Sequence, residues 1–257
     1  MIELDTSVAP DIAGSTVAGF KPRLLQSADH TFCGGCGEPV AMRILLELID
    51  EMGLAERTIA VIGHGCYGQF VTTIDVDVLQ CLHGRAPSCA TGLKRMRPNC
   101  LVFTLTGDGD MVNEGLQEVL HTAARGEAIT SILLNNGVFG DTGGHMTATT
   151  VLGQRTKTSL EGRDPSYHGY PIPVGDLISR LDGASYVARG AVHNAGVTAQ
   201  AKRMLRGALE NQLEGRGFGF VELLTMCPTG WFIPPSAGPD YMVESLEKAY
   251  PLGILKE

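Results

Sequence analysis

The stretch Thr106-Gly107-Asp108-Gly109-Asp110, read with Asn135-Asn136 downstream, constrains this chain more than any other feature. A β-rich run over residues 101–105 feeds the first motif. A helical pattern over about 113–125 follows, and a second apolar run, 129–134, ends at the asparagines. This order predicts strand, Gly-rich turn, helix, strand and polar turn. Asp108 and Asn136 are 28 positions apart. That spacing suits the carboxyl ends of neighbouring parallel strands, the edge where open α/β sheets bind ligands. A carboxylate and an amide oxygen are hard donors suited to Mg2+. Glycines at 107 and 109 would let a diphosphate approach the backbone closely. The competing reading is plain turn chemistry, because Asp-Gly and Asn-Gly are favoured turn pairs. The spacing, the strand before each motif and the helix between them favour a ligand site.

The same alternation runs through the rest of the chain. A helix is expected from Glu38, with Pro39 in its first turn and Gly53 as its stop. Val40, Ile44, Leu45, Leu48 and Ile49 form its apolar stripe. Residues 58–62 read as a strand that enters the turn Gly63-His64-Gly65-Cys66-Tyr67-Gly68. Leu82-His83-Gly84-Arg85-Ala86 reads as a further polar turn, and 90–97 as a short helix stopped at Pro98. Residues 137–170 form a long loop of little periodicity, a length that is usually functional or lies against a partner. Helices are expected at 174–181 and 198–213, and strands at 186–188 and 218–224. The fold class is therefore α/β, a doubly wound and mostly parallel sheet with helices on both faces. The expected organisation is an N-terminal arm over 1–28, packed on a partner subunit or loose, then a binding domain over 29–230. A Pro-rich, short-helical tail over 231–257 completes it.

At 257 residues the chain can bury one large core. A net charge of −8 without a basic block argues against nucleic acid as a partner. Hydrophobic residues make up 44% of the chain, yet no apolar run approaches the ~20 residues of a membrane span. Acids at Glu3, Asp5 and Asp11 are unlike a signal peptide, so the expected location is cytoplasmic.

Seven cysteines is an odd number, better read in a reducing compartment as ligands, core residues or redox groups than as disulfides. Four of them end or flank Gly/Pro turns: Cys33 and Cys36 in a Cys-x-x-Cys pair, Cys66 after Gly65, and Cys227 before Pro228. Four thiolates bind zinc or an iron–sulfur cluster. Cys66 falls at a strand end, like the Asp108 motif, which favours a cluster beside the cofactor over a detached zinc knuckle. The alternative for Cys33 and Cys36 is a redox pair or buried turn residues. Cys81, Cys89 and Cys100 read as small core hydrophobes. His64, His83 and His145 lie in Gly-rich turns, and Arg85 is a second phosphate donor beside His83. His121 falls on a helix and reads as structural.

These residues resemble the thiamine-diphosphate-binding β subunit of the 2-oxoacid:ferredoxin oxidoreductases, over almost the whole chain from His30 to Tyr250-Pro251-Leu252-Gly253. The family's signature begins Gly-Asp-Gly and ends Asn-Asn, here Gly107-Asp108-Gly109 and Asn135-Asn136. The resemblance implies that Asp108 and Asn136 hold Mg2+ by side chain and Val138 by its carbonyl. It implies one 4Fe-4S cluster on Cys33, Cys36, Cys66 and Cys227. It also implies a cofactor cradle of Gly65, Cys66, His83, Gly84, Arg85, Gly107, Asp108, Gly109, Asp110, Asn136, Val138, Gly140 and Thr142. His83, Asp141 and His145 are the candidate catalytic side chains. The activity so implied is oxidative decarboxylation of a 2-oxoacid to acyl-CoA and CO2, with coenzyme A as co-substrate and ferredoxin as acceptor. An α subunit would carry the pyrimidine-binding domain and its activating Glu, with γ and δ subunits left open. The loop departs from the usual pattern where Asp141 replaces Met and His145 replaces Gln. Some relatives acting on small linear oxoacids carry Lys where Gly143 stands, and its absence weakens the case for a dicarboxylate. The run from Gly162 to Pro171 looks most like the branched-chain, 2-oxoisovalerate branch. Two alternatives stay open: a non-oxidative thiamine decarboxylase or synthase subunit with structural zinc, and a non-enzymatic scaffold. Pyruvate, 2-oxoglutarate or an aryl oxoacid are the other candidate substrates.

Overall fold

The computed structural model describes residues 22–27 and 30–257. The expected arm over 1–28 falls largely outside the described residues. Its end, 22–27, lies against the body: Leu24 is buried, and Leu25 makes an antiparallel bridge to Ile74.

In chain order the main elements are α1 (Glu38–Glu51), β1 (Thr58–Ile62), β2 (Asp77–Gln80), α2 (Ala86–Met96), β3 (Leu101–Gly107), α3 (Leu116–Ala124) and β4 (Thr130–Asn135). A two-residue pair follows, β5 (Val138–Phe139) and β6 (His145–Met146). Then come α4 (Pro165–His168), α5 (Val174–Ser179), β7 (Ala184–Ala191), α6 (Ala195–Leu213), β8 (Phe218–Leu224), α7 (Pro228–Trp231) and β9 (Gly253–Lys256). The main sheet has the order β2-β1-β3-β4-β8-β7-β9. All its pairings are parallel except β7 with β9. The expected α/β class is thus observed.

Alternation along each strand sends side chains to two cores, as the pleat requires. Ala60, Ile62, Leu101, Phe103 and Leu105 pack with α1 and α6 on one face. Val61, Val102 and Leu133 pack with α2, α3 and α5 on the other. The direction of winding reverses between β1 and β3, which leaves a crevice at their carboxyl ends. Gly107 ends β3 and Asn135 ends β4, on adjacent parallel strands.

Several local expectations are corrected. The helix expected from 113 is a π-helical turn over Gly109–Glu114 followed by α3, with a break at Gly115. The break has a packing cause: a Cβ on Gly115 would stand 2.5 Å from the Cα of Gly84, so two glycine backbones touch there. The helix α2 starts at Ala86 rather than at 90, with Pro87 in its first turn. Strands β2 and β9 went unread because both are short, partly exposed edge strands. The tail therefore closes the sheet edge, and Trp231, Met242, Leu246 and Tyr250 build a third core beneath it. The loop 137–170 holds β5, β6 and α4. The buried Arg163 guanidinium donates to six carbonyls within it, those of Thr147, Ala148, Thr150, His168, Gly169 and Tyr170. His121 is exposed on α3. Among the described residues no helix is long and apolar enough to cross a membrane.

Candidate functional site

Four turns at the carboxyl edge enclose a cavity of about 270 Å3. His64 to Tyr67 follow β1, His83 follows β2, Gly107 ends β3 with Asp108 to Asp110 after it, and Asn136 to Thr142 run on from β4 through β5. Of the expected cofactor and catalytic residues, Gly65, Cys66, His83, Gly107, Asp108, Gly109, Asp110, Asn136, Val138, Gly140, Asp141 and Thr142 line it. Gly84, Arg85 and His145 do not. Gly84 gives its N–H to Asp110, Arg85 pairs with Glu118 on α3, and His145 meets the Thr142 hydroxyl at 3.0 Å.

The lining is acidic. Glu38, Asp108, Asp110 and Asp141 face it, and among the described residues no Lys or Arg does. Asp108 is buried, and that burial pushes its carboxyl up to about 6, against the opposing hydrogen bonds of Thr147 and Thr149. Both hydroxyls donate to the same oxygen, Asp108 Oδ2, at 2.5 and 2.6 Å. The backbone N–H of Asn136 faces the same carboxylate. Buried carboxylates without a basic partner call for a cation, and a hard oxygen set suits Mg2+. The Asn136 side-chain oxygen also caps its own turn, accepting from Val138 N at 3.0 Å.

Asp110 is already committed to protein donors. Its Oδ2 accepts from the Tyr67 hydroxyl at 2.5 Å and from His64 N at 3.1 Å. It thus ties the turns after β1 and β2 together, and the His64 and His83 rings stand edge to face at 4.9 Å. Gly107 and Gly109 also have a packing cause beside the expected one. A Cβ on Gly109 would stand 2.1 Å from the Phe139 ring, and one on Gly107 would stand 2.9 Å from the Tyr67 ring. Aromatic side chains occupy the clefts these glycines leave.

The four turn cysteines gather beside the cavity, all as free thiols. Gly37 N donates to Met226 O at 2.9 Å, which docks the Cys-x-x-Cys turn on the Cys227 turn. A Cβ on Gly37 would stand 2.6 Å from Met226 N, so only glycine permits that contact. Burial pushes the Cys66 and Cys227 thiols up to about 12, and neighbouring thiols add to the rise in both. Cys36 is raised by the same causes, burial first. Cys33 is exposed. Among the described residues no three His, Cys, Asp or Glu side chains converge on one ion. Sγ atoms around a single zinc lie about 4 Å apart, a tighter grouping than four thiols arranged around a cluster. Cys81 is buried in the core, and Cys89 and Cys100 are half-buried against it.

Sequence reasoning missed Glu38, Tyr67 and Phe139 in the lining, and the Thr147 and Thr149 hydroxyls behind Asp108. The Thr-rich stretch was visible as composition, but nothing local ties it to Asp108. Glu38 looked like a first-turn helix residue. It is buried, its Oε2 has no hydrogen-bond partner, and burial pushes its carboxyl up to about 8.

Residues 63–223 match the family model described as thiamine pyrophosphate enzyme, C-terminal TPP binding domain. The chain is 35% identical over 226 residues to the ketoisovalerate oxidoreductase subunit VorA of Methanothermobacter thermautotrophicus. That match covers 88% of this chain and 47% of the relative, so the chain spans about half that relative's length. It is 32% identical over 205 residues to the 2-oxoglutarate synthase subunit KorB of Archaeoglobus fulgidus, covering 80% of this chain and 72% of the relative. Among solved structures it is similar to a 2-oxoglutarate:ferredoxin oxidoreductase from Magnetococcus marinus with 2-oxoglutarate, coenzyme A and succinyl-CoA bound. That similarity has a TM-score of 0.76 at 25% identity and covers 93% of this chain and 86% of the other.

Proposed function

The chain belongs to the thiamine-pyrophosphate-binding subunits of the 2-oxoacid:ferredoxin oxidoreductases, and from that premise we propose that it oxidises a branched-chain 2-oxoacid to its acyl-CoA. The single observation that carries the reading is the acidic cavity at the β3 and β4 carboxyl ends with four thiols beside it. Thiamine diphosphate, when bound, supplies the electron sink for loss of CO2. Asp108 and Asn136, with the Val138 carbonyl, would hold Mg2+ on its diphosphate. Cys33, Cys36, Cys66 and Cys227 would hold a 4Fe-4S cluster that accepts electrons one at a time for ferredoxin.

The lining supports the choice of substrate. Among the described residues no Lys or Arg lines the cavity to neutralise a second carboxylate, and Asp141 would repel one. A compact apolar side chain meets no such penalty. One domain of this kind supplies the diphosphate half of a thiamine site, so an α subunit would bring the pyrimidine half and its activating Glu. Further subunits would complete the assembly.

The test is anaerobic purification with the partner subunit, then a panel of 2-oxoacids with coenzyme A and a viologen acceptor. Turnover of 2-oxoisovalerate well above that of 2-oxoglutarate is expected. Preference for 2-oxoglutarate would overturn the substrate assignment. Turnover with no acceptor, and no iron in the protein, would overturn the oxidative reading.

A further inference from the structure

An unbroken line of buried contacts joins the two halves of the cofactor motif through the C-terminal tail. Thr149 Oγ1 donates to Asp108 Oδ2 at 2.6 Å. The carbonyl of the same Thr149 accepts from the Tyr250 hydroxyl at 2.6 Å. The Tyr250 ring lies under the Arg189 guanidinium, 5.5 Å from its carbon. Arg189 Nε donates to Glu222 Oε2 at 2.7 Å, and Glu222 Oε1 accepts from Asn135 Nδ2 at 2.7 Å. Every one of these side chains is at most 1% exposed.

The tyrosine hydroxyl is the informative atom. A phenylalanine would fill the same apolar space among Trp231, Met242 and Leu246. What the hydroxyl adds is one hydrogen bond to a main-chain carbonyl, at a residue whose side chain holds Asp108. A buried carbonyl left without a donor is costly. Thr149 belongs to no strand or helix. Its position is set by such contacts and by Arg163, which holds the Thr147 and Thr150 carbonyls on either side. Arg189 in turn clamps the tail by donating to Pro251 O at 3.2 Å.

We infer that Tyr250 is a positioning residue for the metal–diphosphate site. Through Thr149 it holds Asp108 Oδ2 and so turns the other carboxylate oxygen to the cation. The C-terminal tail is then a working part of the site, although it lies outside the segment that matches the family model. This rests on the reading that Asp108 and Asn136 hold the cation.

The test uses the full chain, with Mg2+ titrated at saturating thiamine diphosphate. Binding is read from Trp231, the chain's one tryptophan, whose indole N–H donates to Asn136 O at 2.7 Å. Tyr250→Phe is expected to raise the Mg2+ midpoint roughly tenfold. Thr149→Val should do the same, Thr149→Ser should restore the wild-type midpoint, and the double variant should be no weaker than either single one. Asp108→Asn separates the two ideas. If Asp108→Asn binds like the wild type, or the wild type shows no Mg2+-dependent change, the functional reading fails and the inference with it. If Asp108→Asn weakens binding while Tyr250→Phe lowers only the melting temperature, the inference fails and the reading stands. Should Tyr250→Phe not fold, the contrast between Thr149→Val and Thr149→Ser decides.

Discussion

The thiols of Cys66 and Cys227 each stand 3.5 Å from the point where a Cβ would project from Gly140. Residues from the turns after β1 and β8 thus meet at a glycine in the turn between β5 and β6. A methyl group there is an ordinary contact for the free thiols, but it sits in the space between them. Gly140→Ala is therefore expected to fold normally and to bind thiamine diphosphate, yet to hold little iron. Iron and acid-labile sulfide analysis after anaerobic purification is the check. Full iron content in the variant would remove Cys66 and Cys227 from the cluster assignment.

Glu38 makes the metal-free chain sensitive to pH. Burial pushes its carboxyl from an ordinary 4.5 up to about 8, with Asp108 and Asp141 adding to the rise. Between those values the folded chain keeps a proton that the unfolded chain has released, so stability falls as pH rises through that window. Asp108, pushed from 3.8 up to about 6, adds to the fall at its lower end. The melting temperature of the metal-free chain should be higher near about pH 5 than near about pH 8. Glu38→Gln should flatten most of that slope. A wild-type profile that is level or rises with pH would contradict the burial of a neutral carboxyl.

Asp141 lines the cavity and lies against Cys66, with 3.9 Å between Sγ and Oδ1. Like charges brought together in a closed site cost several kcal/mol. Asp141→Asn should raise kcat/KM for 2-oxoglutarate by about tenfold relative to 2-oxoisovalerate. Steady-state kinetics of the assembled enzyme measure the ratio. An unchanged ratio would show that substrate charge is read elsewhere.

Glu222 and Arg189 form an ion pair at 2.7 Å, with neither side chain more than 1% exposed. Removing one partner leaves a buried charge short of a counter-ion, which costs about 3–5 kcal/mol. Asp176, at 2.7 Å from the same guanidinium, offsets part of that. Glu222→Gln should therefore destabilise the chain by about 2–3 kcal/mol in chemical denaturation. A change under about 0.5 kcal/mol, the range of surface substitutions, would mean that Asp176 alone satisfies Arg189.

Periodicity and turn chemistry carried much of the fold. Strands β1, β4 and β8 and helices α1 and α6 fall close to where the sequence pattern sets them. The misreadings share one cause. Strands β2 and β9 are edge strands, and the break at Gly115 exists because Gly84 packs on it. Neither an edge nor a remote glycine contact leaves a local period to read. The site divides the same way. Asp108, Asn136 and Cys66 carry their chemistry in their side chains, and they line the cavity where the turn pattern sets them. Glu38, Tyr67 and Phe139 entered the site by packing alone, and went unread.

Donor identity and strand alternation were determined by the sequence itself, because both depend on single residues and on neighbours a few positions apart. Which donors share a cavity was decided by the tertiary structure. Sheet order sets the turns after β1, β3, β4 and β8 along one edge, and side-by-side pairing of those strands brings Cys66 to Cys227 and Thr149 to Asp108. Such distances come from strand register and core packing across long stretches of chain, which no local pattern encodes.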